Sequence, residues 1–325
     1  MPAERHVFLG MPVVVASPAM RRTLELVRRV ARSPVAVLIT GETGSGKELV
    51  ARAVHHFSLR CSKPWVDINC GALPDQLMES ELFGHERGAF SGADSAKPGM
   101  FELAHTGSLF LDEIAELDPR MQVKLLRVLD GVPYYRLGGR KKIQVDVRII
   151  AATNQDLEQA VAGGRFRSDL LHRLAEYQIA VPPLRERLED IGALAEHFLA
   201  QHSEQAAFSR EALAALRRYP WPGNIRELRN AVVHAVVSAR QYEIQVEDLP
   251  ERVRGRRAAT LPERGLCLEG LEREAILTAL AQTEGHHRKA ADLLGISRRT
   301  LSRKLRSYRQ EMKQGFRAEL AGAVQ

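Results

Sequence analysis

The stretch Gly41-Glu42-Thr43-Gly44-Ser45-Gly46-Lys47-Glu48 limits what this chain can fold into more than any other. It follows the β-branched, apolar run Val35-Ala36-Val37-Leu38-Ile39-Thr40 and precedes a helical pattern, Leu49-Val50-Ala51-Arg52-Ala53-Val54. In the context of strand, glycine-rich turn and helix, the pattern G-x-x-x-x-G-K is a phosphate cradle. Glycines let backbone N–H groups converge on phosphate oxygens, and the helix N-terminus adds partial positive charge. Lys47 is then placed to reach the β- and γ-phosphates. Glu48 stands where Ser or Thr usually holds magnesium.

A second motif, Ser108-Leu109-Phe110-Leu111-Asp112-Glu113, reads as a buried strand ending in two carboxylates. Any strand can run into a charged loop, so the motif alone says little. Placed after a P-loop it indicates hydrolysis of ATP. Asp112 is then the ligand of Mg²⁺, directly or through water, and Glu113 polarises the water that attacks the γ-phosphate.

A chain of 325 residues can hold two or three domains. No apolar run approaches a membrane span, and Met1 to Gly10 lacks a signal-peptide pattern. Cys61, Cys70 and Cys267 form no C-x-x-C pair and read as reduced cytosolic thiols, which points to a cytoplasmic protein without a disulfide framework. The net charge of +7 is uneven: residues 252–325 carry 16 Lys and Arg against 8 Asp and Glu, and the remainder is close to neutral. That excess points the tail toward nucleic acid, with a merely solvated face as the alternative.

Taken in order, Ser17-Pro18 begins an amphipathic helix whose Met20, Leu24 and Val27 share a face. Trp65 to Asn69 is a second strand. Asn69 at its end is either a site residue or a simple turn residue. Glu81 to Ala93 contains three glycines around Phe90, which suits a loop; Phe90 either binds something or folds back onto the core. Met121 to Leu129 is helical, Val132 to Lys142 is a second loop, and Val147 to Ala152 is a buried strand ending in Thr153-Asn154. Asn154 is there able to orient water between the acidic pair and the γ-phosphate. Phe166 to Leu174 carries Arg167 and Arg173 on a helix.

Val181-Pro182-Pro183-Leu184 reads as a domain boundary. Leu188 to Gln201, Arg210 to Tyr219 and Ile225 to Arg240 are helical, the last with Asn224 as its expected N-cap. The fold class is therefore α/β, a P-loop sheet flanked by helices (1–181) with an α-helical lid (182–251). A basic linker (252–265) leads to an all-α domain (266–325). In it, His287 to Leu294, the turn Gly295-Ile296-Ser297 and Arg298 to Tyr308 fit a helix-turn-helix. Leu301 and Leu305 face inward, leaving Arg298, Arg299, Ser302, Arg303 and Arg306 to meet DNA; a plain helical hairpin is the alternative.

With these motifs the chain resembles a sigma-54-dependent transcriptional activator of the NtrC type, with an AAA+ core, from about Gly10 to Met312. The most specific mark is Gly88-Ala89-Phe90-Ser91-Gly92-Ala93, which matches the family's GAFTGA loop with Ser91 for Thr. The resemblance implies that this loop engages sigma-54. It also implies that Glu48 is usual after the P-loop lysine, and that Asn69 holds the catalytic glutamate away until the loop is engaged. Thr153-Asn154 matches sensor I, and Arg226, in Gly223-Asn224-Ile225-Arg226-Glu227-Leu228, matches sensor II. Arg167 and Arg173 match arginines that reach a neighbouring subunit's ATP. The tail resembles a Fis-type DNA-binding domain.

The expected protein binds upstream double-stranded DNA, assembles into a ring (a hexamer by resemblance) and hydrolyses ATP to remodel sigma-54 RNA polymerase. Few residues precede the core, where most members carry a receiver or sensor domain, so the resemblance implies a fragment or control by a regulator in trans. Two rivals stay open here: a DNA-binding regulator with this fold that bypasses sigma-54, and a protein-remodelling chaperone.

Overall fold

The structure, a computed structural model, describes residues 3–203 and 205–254 and, in the tail, 276, 283, 286–293, 300–301 and 304–305. Two compact units divide the chain, Met1–Arg256 and Arg257–Gln325. The first unit opens with a hairpin that periodicity does not reveal, β1 (Glu4–Phe8) and β2 (Met11–Val15). Leu9 and Gly10 join the strands at φ +49° and +79°, the positive pair that a tight two-residue turn requires. Helix α1 (Pro18–Ala31) follows, capped by Ser17 Oγ accepting from Met20 N–H at 3.2 Å, with Met20, Leu24 and Val27 buried as their spacing predicts.

The central sheet is wholly parallel. Its strands are β3 (Val37–Thr40), β4 (Trp65–Asn69), β5 (Ser108–Asp112), β6 (Arg148–Thr153) and β7 (Tyr177–Ala180), in the order β4-β5-β6-β3-β7. Side chains alternate between two cores, as the pleat demands. Leu38, Leu109, Leu111, Ile149 and Ala151 pack on one face with α3 (Asp75–Phe83), α4 (Met100–Leu103), α5 (Pro119–Leu129), α6 (Leu157–Ala162) and α7 (Ser168–Leu174). Val37, Ile39, Phe110, Ile150 and Ala152 pack on the other with α1 and α2 (Lys47–His56). Burial on both faces explains why these strands read as continuous apolar runs. Thr40, Asp112 and Thr153 end three strands at the same carboxyl edge, where open parallel sheets hold ligands.

The lid consists of α8 (Leu188–Ala200), α9 (Arg210–Arg218) and α10 (Asn224–Ser238) around the fully buried Trp221, whose Nε1 donates to Leu216 O at 2.8 Å. It is not purely helical: Ala207–Phe208 and Glu243–Ile244 form a short parallel pair, too brief to leave a periodic signal. Arg167 falls just before α7 in extended backbone, one step outside the helix expected to carry it.

In the second unit, His287–Leu293 is helical. Leu301 is fully buried with Ile276, Ala290 and Ala291, and Leu305 packs against them, as their inward spacing predicts. Arg298, Arg299, Ser302, Arg303, Arg306 and the turn 295–297 lie outside the described residues, as does Cys267.

Candidate functional site

The P-loop forms between β3 and α2. Gly44 and Gly46 take φ +74° and +102°, and Gly46 sits as the helix N-cap with no side-chain bond to fill the space before the first turn. Among the described residues, the N–H groups of Thr43, Gly44, Gly46 and Lys47 have no protein acceptor. Lys47 is buried and its Nζ donates to the carbonyls of Gly41 and Glu42 at 2.8 and 3.1 Å. Burial lowers its pKa, while Asp112 and Glu113 act the other way and hold the charge. Unclaimed amides around a buried cation fit an anionic phosphate chain. Glu48 lines the cleft and ion-pairs with Arg52 at 2.8 Å.

The acidic pair closes the opposite wall. Burial raises the pKa of Asp112, against a 3.0 Å bond from Glu113 N–H and the attraction of Lys47. A half-buried carboxylate facing a P-loop lysine fits a divalent cation, which when bound neutralises phosphate charge. Glu113 is held in the left-handed region at φ +53°, unusual for a residue with a Cβ. Asn69 pairs in register with Asp112 across β4 and β5, and its Oδ1 accepts from Gly71 N–H at 2.8 Å. A Cβ at Gly71 would lie 2.8 Å from Glu113 Oε2 and 3.5 Å from Asn69 Oδ1, so a side chain there would have to displace the Glu113 carboxylate from the corner it shares with Asn69. Thr153 is buried, and Asn154 Nδ2 donates to Thr43 Oγ1 at 2.8 Å, linking the end of β6 to the P-loop.

The cleft continues away from the phosphate end. It measures about 510 Å³, inside the ~300–1,000 Å³ range of small-molecule sites. Met11, Val13 and Val14 of the hairpin and Leu194, Phe198 and Ile225 of the lid make an apolar end suited to a flat base. Sequence reasoning misses these residues. The local signal there is slight, a glycine at Gly10 just before the β-branched run Val13-Val14-Val15. Arg226 lines the cleft from the lid, and so does Arg229, which the sequence does not single out. Asn224 is not a cap: at φ +52° it starts α10, and its side chain reaches out to Leu184 N–H, Glu42 and the Thr43 carbonyl. Left-handed backbone turns that side chain off the helix end.

On the sheet's flank, residues 84–97 and 132–142 lie back to back. Glu86 N–H donates to Leu137 O and Leu137 N–H to Gly84 O, each at 2.9 Å. Arg136 clamps the pair from the side, with Nη1 on Glu86 at 3.2 Å and Nη2 on Glu102 at 2.7 Å. Above this base Gly88 N–H donates to Ala93 O at 2.9 Å and Ala93 N–H to Phe90 O at 3.1 Å, closing the six-residue tip with Gly88 and Gly92 at positive φ. Ala93 is buried, but Phe90 stays 41% exposed, its ring on His85 at 5.1 Å rather than in the core. Arg136→Ala should free the base, and trypsin should then cut after the exposed Arg87 several times faster than in the parent. An unchanged cleavage rate would show that the backbone bonds alone hold the loop.

The sigma-54 interaction domain profile matches residues 13–180, and the AAA+ ATPase lid domain matches 185–265. The bacterial regulatory protein, Fis family profile matches 268–308. The chain belongs to the sigma-54-dependent transcriptional activators of the NtrC type. Among its relatives, the transcriptional regulatory protein ZraR of Klebsiella oxytoca is 48% identical over 297 residues, covering 89% of this chain and 67% of that protein. NtrC of Escherichia coli K12 is 42% identical over 341 residues, covering 94% and 73%. The crystal structure of NtrX from Brucella abortus superposes with a TM-score of 0.72 at 37% identity, over 90% of this chain and 68% of that one. NtrX in complex with ATP gives 0.70 at 37% identity, over 91% and 68%. This NtrC-type chain is thus an ATPase and an ATP-driven activator of sigma-54-dependent transcription, with sigma-54 and DNA as partners. A regulator that bypasses sigma-54 is not favoured.

Two arginines singled out in the activator's sequence do not join the cleft. Arg167 pairs with Asp169 at 2.7 Å, and Arg173 with Glu176 at 2.8 Å and Asp130 at 3.4 Å. Both are exposed, and neither lines the nucleotide site of its own chain. Among the described residues no helix is long and apolar enough to cross a membrane.

Proposed function

We propose that hydrolysis of ATP in the cleft drives the Phe90 loop against sigma-54 and so remodels the closed polymerase–promoter complex. The P-loop residues Gly41 to Glu48 bind the phosphates, Lys47 neutralises the β/γ charge, and Arg226 senses the nucleotide from the lid. Asp112 holds Mg²⁺, Glu113 activates the attacking water, Thr153 and Asn154 orient it, and Asn69 restrains Glu113. Gly88 to Ala93 form the sigma-54 contact. Arg298, Arg299, Ser302, Arg303 and Arg306 meet enhancer DNA. Residues 1–181, 182–251 and 266–325 act as ATPase core, lid and DNA-binding domain in the cytoplasm. The observation that carries this reading is the exposed Phe90 on a clamped loop, apart from the cleft yet in the same unit. Its test is transcription by purified sigma-54 polymerase on a supercoiled template bearing this chain's enhancer site. Open complexes that form without ATP hydrolysis would refute it.

Active assemblies are rings, a hexamer by family resemblance, because Arg167 and Arg173 have no nucleotide to serve in their own chain. Supplied from a neighbour, they would stabilise transition-state charge. Arg173→Ala should therefore lose turnover alone and recover part of it when mixed with Lys47→Ala subunits. No recovery in rings shown to be mixed would place the arginine's role in its own chain.

A further inference from the structure

Four consecutive P-loop residues are held by the lid. Glu42 accepts from Arg185 Nη1 and Nη2 at 2.8 and 2.6 Å and from Asn224 Nδ2 at 3.0 Å. The Thr43 carbonyl accepts from Asn224 Nδ2 at 3.1 Å and the Gly44 carbonyl from Ile225 N–H at 3.0 Å. The Ser45 carbonyl accepts from the buried guanidinium of Arg187. These donors come from two short stretches, 185–187 and 224–225. A Cβ at Gly44 would stand 2.6 Å from the Gly223 carbonyl, so the approach is as close as backbones allow.

Peptide geometry carries these contacts into the phosphate site. Across a planar trans peptide the carbonyl of one residue and the N–H of the next point in opposite directions, and no cis peptide occurs among the described residues. A lid donor on the Thr43 carbonyl therefore aims the Gly44 N–H away from the lid, and one on the Ser45 carbonyl does the same for Gly46. Neither amide has a protein acceptor, whereas the Ser45 N–H between them is taken by the Glu42 carbonyl at 3.1 Å. Both residues are glycines at positive φ, free to adopt several peptide orientations, so an outside constraint must select one. Asn224 supplies it from a fully buried position, its Oδ1 tied in turn to Leu184 N–H at 2.7 Å.

We infer that Asn224 and Arg187, with Arg185 acting through the Glu42 carboxylate that Asn224 also holds, are positioning residues through which the seated lid orients the Gly44 and Gly46 amides. Affinity for nucleotide phosphates then depends on how the lid sits, and phosphate binding favours the seated lid by the same factor. This deepens the ATP-site reading above and rests on it. Adenosine, which lacks phosphates, reports on the apolar end of the cleft without the cradle.

Asn224→Asp keeps the shape and the acceptor for Leu184 N–H but sets a carboxylate against Glu42 and the Thr43 carbonyl. In the full chain, ADP and a non-hydrolysable ATP analogue should bind about tenfold or more weakly, the order expected for loss of a charge-assisted hydrogen bond. Adenosine should bind as it does to the parent. Arg185→Gln changes only an exposed side chain, so it folds even if the first variant does not; it should weaken the same two nucleotides by a smaller factor and spare adenosine. Equal weakening for adenosine, or parental ADP affinity in both variants, overturns the inference. Lys47→Ala run alongside separates the two levels. If it too keeps ATP, the ATP-site reading has failed; if it loses ATP while both lid variants keep it, only the positioning role has failed.

Discussion

Phe90→Ala should hydrolyse ATP at close to the parent rate and yet form no open complexes. The ring lies outside the cleft and rests on His85, so its removal leaves the P-loop, the acidic pair and the lid contacts in place. What disappears is the one large apolar group at the tip of a loop whose backbone is fixed by its own turns and by the Arg136 clamp. Aromatic side chains exposed in this way serve contact rather than stability. Turnover and transcription measured on the same preparation separate the two functions. Ser91→Thr should keep or strengthen sigma-54 binding in the presence of ADP–aluminium fluoride, since the hydroxyl stays and a methyl is added. Normal activation by Phe90→Ala would mean that another surface delivers the force.

The second large effect is at the chemistry itself. Lys47→Ala should abolish ATP binding, because it removes the buried cation whose Nζ bridges the Gly41 and Glu42 carbonyls at the heart of the P-loop. Glu113→Gln should bind ATP and turn it over about 10²–10⁴-fold more slowly, the usual loss when a positioned general base is removed. Its backbone at φ +53° is unaffected by that change, so the neighbouring Asp112 keeps its bond from the Glu113 N–H. Nucleotide titration together with phosphate release distinguishes the variants. Normal turnover in Glu113→Gln would move the base elsewhere in the cleft.

Much of this site was legible because its parts are contiguous. A phosphate cradle needs glycines and a lysine at fixed spacing after a strand, and the strand itself is marked by a run of apolar residues buried on both faces. The acidic pair, Thr153-Asn154 and the Gly88–Ala93 loop are equally local. Asn224 shows where such reading stops. In sequence it looks like a helix cap, and its fate was decided by Glu42, 182 residues away, and by Leu184, 40 residues away. Arg136 tells the same story, since nothing near it in the chain foretells that it joins Glu86 to Glu102.

The sequence by itself determined which chemistry the chain carries and in what order: a nucleotide loop, a carboxylate pair, a contact loop, a helical lid and a basic tail. Each is a short pattern whose residue types are dictated by local geometry, so it survives without knowledge of the fold. Tertiary structure alone decided the apolar end of the cleft and the bonds that join P-loop to lid. The hairpin residues Met11, Val13 and Val14 and the lid residues Leu194 and Phe198 are unremarkable apolar positions until β2 and α8 converge. A hydrogen bond between Arg185 and Glu42 likewise spans 143 residues, a separation that no periodicity encodes and that only the packed sheet and lid bring within 3 Å.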